Sequence, residues 1–507
     1  MRIKARLDVL RKRFILLVVG SVLAVVGIVG TWLLFEMSQS CGPSGLKRLG
    51  DAGECVGVTD GGVGFGDEYE EYERVFDLIK VANDEVIDEA HERNTTYYSI
   101  AYMTSFTLTD ADSNTRKAVL DELQGAYDAL RRHNSERAPK IRLLIANTGS
   151  TAQHWEHTVA ELAKRQRTED RLVAVAGLGP SEEQNIAAVE KLSEERLAIV
   201  ASTMTADFEP PIENFVRVAP TNADQALAAV NHLKLQGHTE MMIIRDIRGS
   251  NHYAQTLADA FEESVGEAGQ DLIISYGSDN ERWENEIHQV PGQVCTDARE
   301  ELALLFAGRS EELVRMVQRL GAEPVCDDKS ITVMTGDDLS NLTAEELTGV
   351  AAMKNIQVLY TGLAHPGAVK EVNQAVNRES LERFEPGGAY SKRFGNPTDD
   401  GRAMMGHDAV LVITHAMVAA LGDSETTAEL DITGEDVGRM LFHMKGGNTV
   451  KGASGCLSFD DEGNPINKSI PILTIAEEEQ KGVVTVLAMS APDGTLRETP
   501  GSRSCGG

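Results

Sequence analysis

Lysine and arginine are scarce in this 507-residue chain: 48 stand against 79 aspartates and glutamates, a formal net charge of −31. Binding a phosphate backbone takes clustered cations, so nucleic acid is excluded as a partner. Acidity on this scale describes a solvated, self-repelling surface. Catalytic motifs are missing too. There is no G-x-S-x-G elbow and no H-E-x-x-H. Gly447–Ser454 has the spacing of a P-loop, but Ala453 occupies the place where the phosphate-binding lysine must be. Gly62-Val63-Gly64-Phe65-Gly66 is glycine-rich but follows no strand, so it is not a dinucleotide turn. No C-x-x-C or Cys/His spacing suits a structural zinc. His154 and His157 lack a third ligand and read as an exposed helix face, and Asp337-Asp338 and Asp460-Asp461 read as turn or cap residues. No repeat marks a solenoid. The expectation is a protein that is not an enzyme and carries no cofactor or metal.

Positive charge is concentrated at one end. Residues 1–13 hold Arg2, Lys4, Arg6, Arg11, Lys12 and Arg13 against Asp8. Phe14 to Phe35 follows without a charged residue. Its length, about 33 Å as a helix, spans a bilayer core of roughly 30 Å. Trp32 suits an interface, and Glu36 follows. By the positive-inside bias, residues 1–13 form a cytoplasmic stub, 14–35 a transmembrane helix, and the rest an extracytoplasmic body. Two alternatives stay open. A cleaved signal peptide lacks a clear A-x-A site, and a lipoprotein acylated at Cys41 lacks a lipobox in Ser38-Gln39-Ser40.

All six cysteines, Cys41, Cys55, Cys295, Cys326, Cys456 and Cys505, follow the apolar run. An even count in an oxidising compartment points to disulfides, with free buried thiols as the alternative. Proximity along the chain favours Cys41–Cys55 and Cys295–Cys326, leaving Cys456–Cys505.

Residues 36–94 read as a glycine-rich stalk and disulfide clip followed by a leading helix. From residue 97 the pattern alternates. Short β-type runs at 97–103, 141–146, 173–176, 197–201 and 215–218 are separated by amphipathic helices. The theme repeats at 241–244, 272–275, 302–306, 331–334 and 356–360. Strands alternating with helices predict an α/β fold with parallel sheets covered on both faces. Ten strands are too many for one comfortable sheet, so two Rossmann-like lobes are expected. The chain crosses between them near 219–223 and 365–367. Lobe 1 is assigned 95–220 with 366–450, lobe 2 takes 221–365 with 451–490, and 491–507 form a loose tail.

In open parallel sheets, ligands bind beyond the carboxyl ends of the strands. Four such ends carry suitable groups: Ser181 after Gly177-Leu178-Gly179-Pro180, then Ser202, Thr203 and Met204, then Tyr253 beyond Arg245-Asp246, and Asp337 after Thr335-Gly336. Each alone has a plain structural reading. Ser181 and Asp337 can cap helices, Ser202 and Thr203 can form a turn, and Tyr253 can pack.

Together these segments resemble the type I periplasmic binding proteins, specifically the branched-chain amino-acid-type binding proteins of ABC transporters. The resemblance is carried by Gly177–Ser181, Ala201-Ser202-Thr203, Phe215–Pro220, Tyr253–Phe261, Gly406–Val410, and Lys451–Gly455 with Leu457–Asp460 and Gly463. It covers residues 95–490 and implies two lobes, three hinge crossings and an enclosed ligand. It also implies that Ser181, Ser202 and Thr203 hold a ligand carboxylate. Tyr253 then faces them from the other lobe, and an acid near Asp337 meets the ligand ammonium. Glu182 and Glu183 depart from the pattern: either one entering the cleft disfavours an anionic head, unless Arg245 or Arg248 compensates. The expected function is capture of a small polar ligand for an ABC permease. The alternative is a membrane-tethered sensory ectodomain working through a partner protein.

Overall fold

The computed structural model describes residues 40–42, 45–208, 210–267, 269–278, 282–353, 355–366, 378–395, 401–422, 431–466, 468–490 and 496–497. The proposed membrane helix 14–35 and Cys505 lie outside these residues. Two sheets organise the chain. The first contains β1 (Leu46–Leu49), β2 (Glu54–Thr59), β3 (Tyr97–Thr104), β4 (Lys140–Asn147), β5 (Leu172–Gly177), β6 (Ala198–Ala201) and β7 (Phe215–Arg217), in the order β1-β2-β4-β3-β5-β6-β7. The second draws on β8 (Met241–Asp246), β9 (Gln270–Tyr276), β10 (Glu301–Ala307), β11 (Ser330–Thr335) and β12 (Ile356–Thr361). A two-strand ladder of β13 (Val450–Lys451) and β14 (Cys456–Leu457) intervenes before β15 (Ile470–Glu478), β16 (Lys481–Ser490) and β17 (Leu496–Arg497) complete the second sheet. Its order is β17-β16-β15-β12-β11-β10-β8-β9.

The architecture is a two-lobed α/β fold, but its sheets are mixed rather than parallel throughout. β3 to β7 and β8 to β12 pair in parallel, while β2 meets β4 and β15 meets β12 antiparallel. The parallel strands are buried on both sides, which is why Ile141, Leu143, Leu144 and Ile145 run almost unbroken. The clip is more ordered than its composition suggests. Glu54–Thr59 is buried from Cys55 onward and joins the first sheet, and Cys41–Cys55 ties the preceding segment to it. Glycines and cysteines concealed that strand.

Cys295–Cys326 is the second disulfide, and it links the region of two short helices, Trp283–Ile287 and Val290–Val294, to the start of β11. Cys456 is also disulfide-bonded. Near the end of the chain, Val450, Ala453, Leu457 and Phe459 belong to the first lobe's core, and the chain returns to the second sheet at β15.

Among the described residues, one helix, Arg402–Leu421, is long and apolar enough to cross a membrane, yet most of it is buried. It packs on helix Arg116–Glu136 through a reciprocal glycine contact. A Cβ on Gly125 would stand 1.9 Å from the Ala403 carbonyl oxygen, and one on Gly406 would stand 2.0 Å from that of Glu122. Small residues allow the two backbones to touch, so this helix is a core element of the lobe. Side-chain caps fix the helix starts: Thr115 accepts from the Ala118 N–H, Thr221 from Asp224 and Asn251 from Ala254.

Candidate interlobe ligand site

The carboxyl ends of β5 and β6 face those of β8 and β11 across the lobe boundary. Gly177 ends β5 with φ +95°, and a Cβ there would lie 2.7 Å from the Met103 carbonyl oxygen. Only glycine lets the following turn pass so close to β3. Ser181, at its end, is buried, and its Oγ accepts from the backbone N–H groups of Thr205 and Ala206, each at 3.1 Å. Both acceptor positions are filled, which leaves the hydroxyl proton for another acceptor. The Ser181 carbonyl accepts from the Tyr253 N–H at 3.2 Å, and Glu183 N–H donates to the Ser250 carbonyl at 3.2 Å. The two lobes therefore meet at this turn.

The other expected residues divide. Thr203 is buried, and its Oγ1 has no partner among the described residues. Ser202 is committed elsewhere: its hydroxyl donates to Glu122 Oε2 at 2.7 Å, with the Gly177 carbonyl at 3.2 Å, and Tyr102 donates to the same carboxylate oxygen at 2.7 Å. Met204 is buried in the first lobe's core with Leu178 and Phe215. Tyr253 is buried, and its Oη accepts from the Asp338 N–H at 3.3 Å. Asp337, also buried, accepts from Gln225 Nε2 at 2.9 Å.

Electrostatics follow burial. Desolvation pushes the Asp337 carboxyl up to about 6, although Gln225 and Arg402 pull it down. Burial raises the Tyr253 hydroxyl well above its usual range, and Asp337 and Asp338 add to that. Burial therefore favours the neutral form of both groups.

Two arginine braces cross the boundary, Arg309 by ion pairs and Arg402 by hydrogen bonds, and the sequence shows only fragments of them. Glu182 Oε1 accepts from Arg309 Nη2 at 2.8 Å and from Arg248 Nη2 at 3.2 Å. Arg309 also donates to Asp338 Oδ1 at 2.9 Å and lies 4.6 Å from the Tyr253 ring centroid. Burial alone would lower its pKa, but the Glu182 and Asp338 carboxylates outweigh burial and hold the proton more tightly than usual. Glu182 is thus neutralised, while Glu183 is exposed. Arg245 pairs with Glu262 at 2.5 Å instead of serving the cleft.

The second brace is Arg402. It donates to Glu122 Oε1 at 2.8 Å in its own lobe, and to Ser340 Oγ at 3.0 Å and Asn341 Oδ1 at 2.9 Å in the other. The signal for it was a charge opening a long apolar helix. His154 and His157 need a correction: they are half-buried rather than on an exposed face, because the β1–β2 hairpin lies over their helix. Among the described residues no group of three ligating side chains is placed to hold a metal.

The model of the family described as "Receptor family ligand binding region" matches residues 123–478. Three solved structures have similar folds. A leucine-binding protein of Thermotoga maritima is 17% identical, with a TM-score of 0.58, covering 78% of this chain and 100% of its own. A branched-chain amino-acid transporter substrate-binding protein of Streptococcus pneumoniae, in complex with isoleucine, is 14% identical with a TM-score of 0.56, covering 77% and 99%. An ABC transporter solute-binding protein of Rhodopseudomonas palustris, in complex with 3,4-dihydroxybenzoic acid, is 13% identical with a TM-score of 0.56, covering 78% and 98%. At these identities the likeness is one of fold. Among curated proteins, Lon protease 2 of Bacillus subtilis is 24% identical over 134 residues, so the chain spans about a quarter of that protein's length, 24%.

Proposed function

This chain belongs to the receptor ligand-binding region family, and from that premise we propose that it captures a small amino acid or close relative between its lobes and delivers it to a membrane permease. The observation that carries this reading is the convergence on one boundary of a hydroxyl with a proton to give (Ser181), an unpartnered buried hydroxyl (Thr203) and a buried carboxyl (Asp337). Neutral donors suit a ligand carboxylate, and one acid suits its ammonium. Ser202 is left out of the ligand set because its single proton serves Glu122. The braces at Arg309 and Arg402 bind the lobes to one another, which is what an enclosing site requires.

The uncharged run at residues 14–35 supports a receptor tethered to the outer face of a membrane, with its N-terminus in the cytoplasm. Such a tether keeps capture close to a permease.

The test is a thermal-shift screen of the full-length protein against amino acids, amides, polyamines and sugars. A ligand at a hundred times its Kd adds about 2.7 kcal/mol of stability. Amino acids are expected to raise the midpoint. If they shift nothing and another class does, the assignment of ligand class is wrong.

A further inference from the structure

A cavity of about 520 Å³ lies between the C-terminal ends of helices Arg116–Glu136 and Arg402–Leu421, helix Gly434–Phe442 and the loop that leads into β13. It is distinct from the interlobe site. Glu122 and Arg402 mark the cleft end of those two helices, and His133 lies 11 residues beyond Glu122, roughly 16 Å along the axis. The walls have two characters. Leu411, Val418, Met440 and Met444 supply apolar surface. Arg132, Arg137 and Lys451 supply cations, with Glu136 as the carboxylate opposing them. Four histidines, His133, His407, His415 and His443, complete the lining.

Cations near a helix C-terminus are ordinary partners of the helix dipole. Two further observations point to a ligand. Arg137 and Lys451 are exposed and make no ion pair among the described residues, in a protein that carries −31. His407 is fully buried, its Nδ1 lies 2.8 Å from Asp408 Oδ1, and its Nε2 has no partner among the described residues. Asp408 is itself fixed by the N–H groups of Ala453 and Ser454, at 2.8 and 2.7 Å, and by the Ser454 hydroxyl at 2.5 Å. With its Nδ1–H given to the Asp408 carboxylate, the ring presents Nε2 at the cavity wall as an acceptor for a ligand hydroxyl or acid proton.

We propose that this cavity is a second ligand site and takes a small organic carboxylate, whose anionic head meets Arg137, Lys451 and the protonated rings of His133 and His415 and whose apolar body covers Leu411, Val418 and Met440. Its volume falls in the range of small-molecule sites. The binding is coupled to protons. Burial, with Arg137, His133 and Arg132 around it, lowers His415 to about 4. Burial also lowers His133, reinforced by Arg137 and Lys140 and opposed by the Pro139 carbonyl and Glu136. A bound anion favours their protonated forms, so affinity rises as pH falls.

Hexanoate titrated into the full-length protein by calorimetry tests this, with hexylamine as the cation of matching body. Expected is saturable binding of the hexanoate anion, about tenfold tighter at pH 5 than at pH 7 once the probe's own protonation is corrected for, and lost in the Arg137→Gln, Lys451→Gln double variant. Both positions are exposed, so the variant is expected to keep the parent's unfolding midpoint and its interlobe ligand binding. The proposal is overturned if hexanoate does not saturate at pH 5, if hexylamine binds equally well, or if hexanoate binding persists in the double variant.

Discussion

Replacing Arg309 by methionine examines the brace that holds the lobes together. Arg309 is 6% exposed and bonds to two carboxylates, Asp338 at 2.9 Å and Glu182 at 2.8 Å. Methionine keeps much of the stem and its cover over Tyr253 but strands part of both charges. Breaking a buried pair from one side costs about 3–5 kcal/mol when the remaining charge has no other partner. Here both have some. Asp338 still accepts from the Ser310 N–H at 2.7 Å and from Asn341 at 3.2 Å, and Glu182 still meets Arg248 at 3.2 Å. The expected loss is therefore at the lower end, about 3 kcal/mol. Glu182→Gln removes only the charge that crosses the boundary, on a side chain 18% exposed, and is expected to cost about 1–2 kcal/mol. Urea unfolding of the two single variants and the double variant closes a thermodynamic cycle, and the pair is expected to couple by at least ~0.5 kcal/mol. An Arg309→Met midpoint equal to that of the parent, or strict additivity of the two changes, would refute the cross-lobe brace.

Other expectations follow from the same geometry. Asp337 has its ordinary value of 3.8 raised to about 6, so the ligand-free fold favours the neutral acid. Its contribution is full below pH 4 and fades as pH rises to 6, a change of about 3 kcal/mol, and Asp337→Asn is expected to flatten the stability–pH curve across that window. A ligand ammonium restores the charge, so binding should release a proton near pH 5, read as a calorimetric heat that depends on the buffer. Gly125→Ala places a methyl 1.9 Å from the Ala403 carbonyl oxygen and is expected to cost about 2 kcal/mol or more in urea unfolding; an unchanged midpoint would show that the two helices are not in backbone contact. Breaking Cys295–Cys326 by Ser substitution opens a loop of 31 residues and is expected to cost about 3–4 kcal/mol, whereas a loss below 1 kcal/mol would mean that the reduced chain stays ordered there.

The alternation of short apolar runs with amphipathic segments located ten strands from β3 to β12 to within a residue or two, because strands buried on both faces must be apolar throughout. β1 and β2 were not legible, because a strand built from Cys55, Val56, Gly57 and Val58 looks like a glycine-rich clip until β4 supplies its partner. Strand ends pointed to the loops that line the lobe boundary, since parallel topology dictates where those loops gather. They did not reveal how each hydroxyl is spent. Ser202 and Thr203 are adjacent and chemically alike, yet Glu122, 80 residues away, engages one and leaves the other free. Arg309 and Arg402 were hidden for the same reason: their partners lie in the opposite lobe, and no local pattern records a contact made across a cleft.

The most direct test of interlobe capture is calorimetric titration of the full-length protein with L-leucine, L-isoleucine and 3,4-dihydroxybenzoate, beside the Ser181→Ala, Thr203→Val double variant. Each hydrogen bond to a charged group contributes about 1.5–3 kcal/mol. The account predicts an interlobe amino-acid site whose affinity is reduced at least ~tenfold in the double variant. Amino-acid binding that is untouched by removing both hydroxyls would contradict it.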